Sequence, residues 1–192
     1  EYFTTLLYTG NATDDRNLTN DANAGDFKPD WLWLKERSST SSHQLVDSTR
    51  GSSFAVMSDS NALEDEDANR VQAFQTNGFQ IGTASTVNQN TITNVAWQWK
   101  ANGGTATATI SESGNNPAAV VQANPTAGFS IISYTGTGSS GTIAHGLGAI
   151  PEVYIIKNRD AESNFEVFTN QIVTGENSVL RIDTAGAKAD SG

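Results

Sequence analysis

Two stretches of the chain repeat one pattern, and that repeat constrains the fold more than any other feature of the 192 residues. Phe3-Thr-Thr-Leu-Leu-Tyr-Thr-Gly10 lies over Phe129-Ser-Ile-Ile-Ser-Tyr-Thr-Gly136, an offset of 126 residues. Pro29-Asp-Trp-Leu-Trp-Leu-Lys-Glu-Arg37 lies over Pro151-Glu-Val-Tyr-Ile-Ile-Lys-Asn-Arg159, an offset of 122. The second match runs on without gaps, with Ser41 over Ser163 and Leu45-Val46 over Val167-Phe168. The first copy carries four extra residues between Gly10 and Pro29, where a loop absorbs them. A period near 122 residues is the size of a domain and several times that of a solenoid unit. The expected organisation is a first unit over residues 1–104, a linker over 105–125 and a second unit over 126–192. The second unit lacks a counterpart to residues 75–100 of the first, so it reads as incomplete. Either the sequence stops short, or another chain supplies those strands.

The repeated words are strand-like. β-Branched and aromatic runs at 2–8, 31–35, 45–47, 54–57, 78–82, 94–100, 129–134, 153–157, 165–168 and 179–182 are expected as strands. Residues 94–100 (NVAWQWK) alternate, which puts Val95, Trp97 and Trp99 on one face. Residues 63–74 alone read as a helix, with acidic residues at the start and Arg70 near the end. Gly, Ser, Thr and Asn crowd the segments between the runs, as turns require. The fold class is all-β.

Charge and composition exclude several functions. A net charge of −10 and a pI near 4.4 repel phosphate backbones and anionic bilayers, so neither nucleic acid nor membrane is an expected partner. No apolar run approaches the roughly 20 residues that a spanning helix needs. Without cysteine there are no disulfides and no thiolate metal sites. The chain opens on Glu1 with no signal-peptide pattern, which suggests a processed chain or a segment of something longer.

The words FKPDWLWLKERSS, HQLVDSTRG, TNGFQIG and VAWQWKANGG, in that order, resemble one repeat of a tandem β-rich domain found in tail, fibre and other virion structural proteins. Such domains are common in marine tailed phages, including cyanophages. GFSIISYTG followed by HGLGAIPEVYIIKNRD resembles a second repeat. The resemblance implies tandem β-sandwich-like domains, jelly-roll or lectin-like, in a non-catalytic virion protein of extracellular location. It implies other virion proteins and further copies of the chain as partners, in a homo-oligomer such as a trimer, with host surface glycans as an additional ligand. It implies no cofactor and no catalytic residue. The first copy departs from the pattern by lacking the His-Gly-Leu-Gly word before Pro29.

Five side chains stand out as ligand or interface candidates, each with a structural alternative. Lys35 and Arg37, with their counterparts Lys157 and Arg159, share one strand face in each copy. They suit an acidic glycan or a partner chain; pairing with carboxylates on a neighbouring strand is the favoured reading. His145, between glycines, suits a metal or a sugar, but a single histidine builds no metal site, and capping a tight loop is favoured. His43 aligns with Phe165, which suggests a packing position, and Asp47 and Arg50 suggest a turn-stabilising pair.

The acidic run 64–67 lacks the spacing of a calcium loop and reads as a solvated face. Trp31, Trp33, Trp97 and Trp99 form two i, i+2 pairs that suit a carbohydrate platform or, preferably, a core or interface. Val153 and Ile155 replace the first pair in the second copy, a change that buried positions accept more easily than stacking ones. GTGSSG over 136–141 lacks the lysine of a phosphate-binding loop. No pair of carboxylates is singled out for glycan cleavage.

Overall fold

The computed structural model describes residues 1–20, 26–169, 178–184 and 189–190. Its strands in chain order are β1 Phe3–Thr9, β2 Arg16–Thr19, β3 Trp31–Glu36, β4 Gln44–Asp47, β5 Gly51–Val56, β6 Asp65–Glu66, β7 Val71–Gln75 and β8 Gly78–Ile81. After a single helical turn, α1 Ser85–Asn88, come β9 Thr93–Trp99, β10 Ala108–Ile110, β11 Ala119–Asn124 and β12 Phe129–Tyr134. The last are β13 Val153–Ile156, β14 Glu166–Thr169, β15 Ser178–Val179 and β16 Ala189–Asp190. The end of the expected second unit, at residue 192, lies outside the described residues.

Alternation builds the first layer. In β3, Leu32, Leu34 and Glu36 are buried while Trp31, Trp33 and Lys35 are half-buried on the opposite face. β3 sits within a six-stranded antiparallel sheet in the order β1-β9-β3-β4-β5-β6. A second sheet, β2-β8-β7, lies against it. Leu32, Leu34, Val46, Ala55 and Ala96 from the first sheet pack with Leu18, Val71, Phe79 and Ile81 from the second, and Val87 of α1 closes the end. Each large apolar side chain buried there contributes roughly 1.5–3 kcal/mol. The two sheets form a β-sandwich-like body. Gly78, at the β7–β8 turn, adopts φ +112°, and a Cβ there would meet the Leu18 carbonyl oxygen at 2.0 Å. Glycine alone fits that crossing.

The expected helix over 63–74 is not formed; β6, a turn and β7 occupy those residues. The reason is a side chain that sequence periodicity does not see. Arg70 is buried, pairs with Asp65 and donates to the carbonyls of Ser53 and Asp65, which holds the segment extended beside β5.

The repeat is structural as well as textual. Trp31 pairs with Asp47 and Leu34 with Gln44 across β3–β4; Val153 pairs with Thr169 and Ile156 with Glu166 across β13–β14. The two hairpins share one register at the offset of 122. Residues 105–125 carry β10 and β11, which join β12 in a three-stranded sheet. Gln122 of β11 is buried, and its amide donates to Ser48 Oγ at 3.0 Å and Thr49 Oγ1 at 2.8 Å. That stretch is therefore docked on the β4–β5 turn.

Candidate functional site: the junction between the two units

The outer face of the six-stranded sheet gathers its aromatics, because residues i and i+2 of a strand share a side and β3 lies beside β9. Trp31 lies 4.6 Å from Trp99 and 5.9 Å from Trp33 between ring centroids, and Trp33 lies 6.0 Å from Trp97. Phe3 of β1 adds a contact to Trp99 at 4.7 Å. Onto this cluster the second unit places two phenylalanines. Phe129, opening β12, stacks on Trp31 at 5.8 Å and on Trp99 at 6.3 Å. Phe165 is 2% exposed and packs with Leu45 and Val56 against Trp31 and Trp33. All four tryptophans remain half-buried.

Beside the aromatic contact stands a polar clamp. Glu64 precedes β6, and its Oε1 accepts from Arg50 Nη1 at 2.8 Å. Arg159, just past β13, grips the same carboxylate in a fork, Nε to Oε1 at 2.9 Å and Nη2 to Oε2 at 2.6 Å. Such bidentate, charge-assisted pairing is the strong form of an ion pair. The main chain reinforces it: Glu64 N donates to Arg159 O at 2.9 Å and Ser163 N to Asn61 O at 2.9 Å. Burial alone would raise the Glu64 carboxyl, but the bonds from Arg159 and Arg50 outweigh it and hold the group below its ordinary range. Hydrogen bonding to Glu64 correspondingly raises Arg159.

The five candidates separate here. Arg159 finds a carboxylate, not on an adjacent strand but on the first unit. Lys157 Nζ donates to Ser163 O at 2.6 Å and Asn61 O at 3.1 Å, so it too bridges the units. Burial pushes its ammonium below the usual value, against the opposing pull of Asp183 and Glu162. Lys35 Nζ donates to Glu36 O at 2.7 Å and Ser39 O at 3.2 Å, within its own unit. Arg37 is exposed. His145 Nδ1 accepts from Leu147 N at 3.2 Å between Gly146 and Gly148, both at φ +74°, a capped tight loop. That loop leans on β11 around an apolar hollow of about 240 Å³, among whose lining residues are Val121, Ala123, Ala144 and Gly146.

Other side chains fall where their types suggested. Asp47 and Arg50 pair within the 47–50 turn. His43 accepts the Trp33 indole N–H at Nδ1, 2.7 Å, and burial lowers its pKa, in keeping with a neutral ring. Sequence reasoning missed Glu64 and Asp30. The acidic run 64–67 has the pattern of a solvated face, yet the Glu64 side chain is only 10% exposed. Asp30 is fully buried and accepts from Ser48 Oγ at 2.8 Å, Ala101 N at 2.7 Å, Gly103 N at 2.8 Å and Gly104 N at 2.5 Å. It ties the loop after β9 to the start of β3. The one available signal was its place before a strand, opposite the Gly103-Gly104 pair.

The two-sheet body and this junction define an all-β protein assembled from a repeated strand pattern. The chain belongs to the family described as "Domain of unknown function (DUF7483)", whose model matches residues 1–192. No curated protein and no solved structure matches it.

Proposed function

We propose that the chain is a non-catalytic structural module of a bacteriophage virion appendage, on a tail, a fibre or the capsid surface. The observation that carries this reading is the junction. Aromatic and basic side chains that would otherwise serve a ligand are used to lock one unit to the next. Phe129 and Phe165 occupy the tryptophan face, and Arg159 and Lys157 are committed to Glu64 and to main-chain carbonyls. A lock of this kind transmits load between units, which is what an extended appendage requires. The words shared with tandem phage domains supply the virion setting by resemblance. Other virion proteins and further copies of the chain are its partners in this reading, in a homo-oligomer such as a trimer, outside the cell.

Mass spectrometry of purified particles from the genome that encodes the chain is the test. The chain is expected in intact virions at a fixed stoichiometry to a tail or capsid protein. Recovery only from the particle-free lysate would overturn the proposal.

One observation favours a second reading, a carbohydrate-binding adhesin within the same virion. Each tryptophan keeps part of its surface open, and Trp97 touches the cluster only edge-on, through Trp33. Glycan binding lost in a Trp97→Ala variant that keeps its fold would select that reading.

A further inference from the structure

The inner face of the six-stranded sheet carries one charge that no side chain answers. Glu36 ends β3 in the same alternation as Leu32 and Leu34, so its carboxylate points between the two sheets. It is 1% exposed, and neither Oε1 nor Oε2 has a hydrogen-bond partner among the described residues. Burying an isolated carboxylate is strongly unfavourable, and folded chains offset it with a paired cation or a coordinated metal ion.

The basic side chains and donors nearby are directed elsewhere. Lys35 lies on the opposite face of β3 and gives its ammonium to the carbonyls of Glu36 and Ser39. Tyr8 stands in the same cross-strand row as Glu36, joined to it through Asn94 of β9. Arg16, with its guanidinium 5.7 Å from the centre of the Tyr8 ring, donates to Thr9 O at 2.7 Å and Asn88 Oδ1 at 3.2 Å. Asn94 Nδ2 donates to Ile92 O at 2.9 Å, and the Tyr8 hydroxyl donates to Val87 O at 2.8 Å.

What gathers round Glu36 is further oxygen. Gln44 opens β4 opposite Leu34, on the same inner face, and is 2% exposed. Its Nε2 donates to Ser42 O at 3.1 Å, which turns the amide toward the Glu36 end of the hairpin. Diagonal neighbours across a strand pair lie within reach of long side chains. Gln44 Oε1 is buried with no partner among the described residues. α1 packs on β3, and the Tyr8–Val87 bond sets it beside the row of Glu36. In α1, Thr86 Oγ1 is likewise buried and unpartnered. Glu36 Oε1 and Oε2, Gln44 Oε1 and Thr86 Oγ1 thus come from three elements that meet at one end of the core.

We infer that Glu36, Gln44 and Thr86 bind a monovalent alkali cation, sodium or potassium, between β3, β4 and α1. The donors are oxygens without nitrogen or sulfur, a set that suits hard ions rather than zinc or copper. One carboxylate balances one positive charge, whereas a divalent ion would leave net charge in the core. Calcium favours sites with several carboxylates, and no group of three acidic, histidine or cysteine side chains gathers to hold a metal among the described residues. The ion ties the helical turn to the β3–β4 hairpin, so its binding stabilises the first unit. The inference goes beyond the virion reading and does not depend on it.

The test melts the 192-residue chain in sodium, potassium and choline chloride at one ionic strength, varying the alkali fraction. A melting temperature about 3 °C or more above that in choline is expected in at least one alkali salt, rising with the logarithm of that ion's concentration. The salt with the larger rise identifies the ion. Glu36→Gln keeps the side-chain shape without the charge and is expected to abolish the difference between alkali and choline salts. Thr86→Val, which removes only the hydroxyl and serves where Glu36→Gln does not fold, is expected to weaken the apparent affinity about tenfold. Equal melting in all three salts, as a neutral Glu36 bonded to Gln44 would give, overturns the inference. So does an alkali difference that Glu36→Gln, or Thr86→Val in its place, leaves unchanged.

Discussion

Arg159 and Glu64, 95 residues apart in sequence, meet through a two-pronged ion pair at 2.9 and 2.6 Å that joins the second β unit to the first. Arg50 holds the same carboxylate from the first unit, so Glu64 is shared between the two.

This sharing makes the junction acid-sensitive. The carboxyl of Glu64 is held below its ordinary value in the fold, so its contribution is fully present above about pH 4.3, the usual glutamate value. It is lost as pH falls through the lowered folded value. Glu64→Gln is expected to cost about 1–3 kcal/mol at neutral pH and to flatten the acid limb of a melting-temperature profile. An unchanged acid limb in the variant would place the sensitivity elsewhere.

Phe165 is the apolar half of the same junction. Phe165→Ala should destabilise by about 3–5 kcal/mol and shift tryptophan emission to the red, since Trp31 and Trp33 lose their cover. Chemical denaturation followed by fluorescence reads both quantities. Phe129→Ala, removing a half-buried ring that stacks on Trp31 and Trp99, should cost less.

His43 gives a separate pH signature. Burial lowers its pKa in the fold, so the unfolded chain takes up a proton first as pH drops below about 6.5. Stability should fall across the window between that value and the lower folded one. His43→Phe, which installs the residue of the matching position in the second unit, should remove the fall. Direct NMR titration of the His43 ring gives an independent reading.

Asp30 organises the loop after β9 with four accepted bonds from full burial. Asp30→Ala leaves buried donors unpaired and should cost upwards of about 3 kcal/mol. Proteolysis should then begin near Gly103-Gly104, which limited digestion with mass mapping detects.

Much of this architecture is written locally. The runs at 129–134 and 31–35 became β12 and β3 nearly residue for residue, because β-branched and aromatic alternation acts within a strand. The words repeated at the offset of 122 are the ones that share a register in the β3–β4 and β13–β14 hairpins. What escaped notice depends on distant partners. Residues 63–74 carry helical spacing but fold as β6, a turn and β7, because the role of Arg70 comes from Asp65 and Ser53. β11 escaped because its buried face is Ala119, Val121 and Ala123, small residues in a polar setting. Glu64 looked solvated because its partner Arg159 is remote in sequence. Of the five candidate side chains, Lys157 and Arg159 reach the junction; no local feature separates them from Lys35 and Arg37.

The most direct measurement is a cryo-electron microscopy map, at side-chain resolution, of the native assembly that contains the chain. The account predicts symmetrically arranged copies on a phage particle, with Glu64 and Arg159 paired and the tryptophan face covered by Phe129 and Phe165. A free monomer whose two units are separated, with the tryptophans lining an open groove, would contradict it.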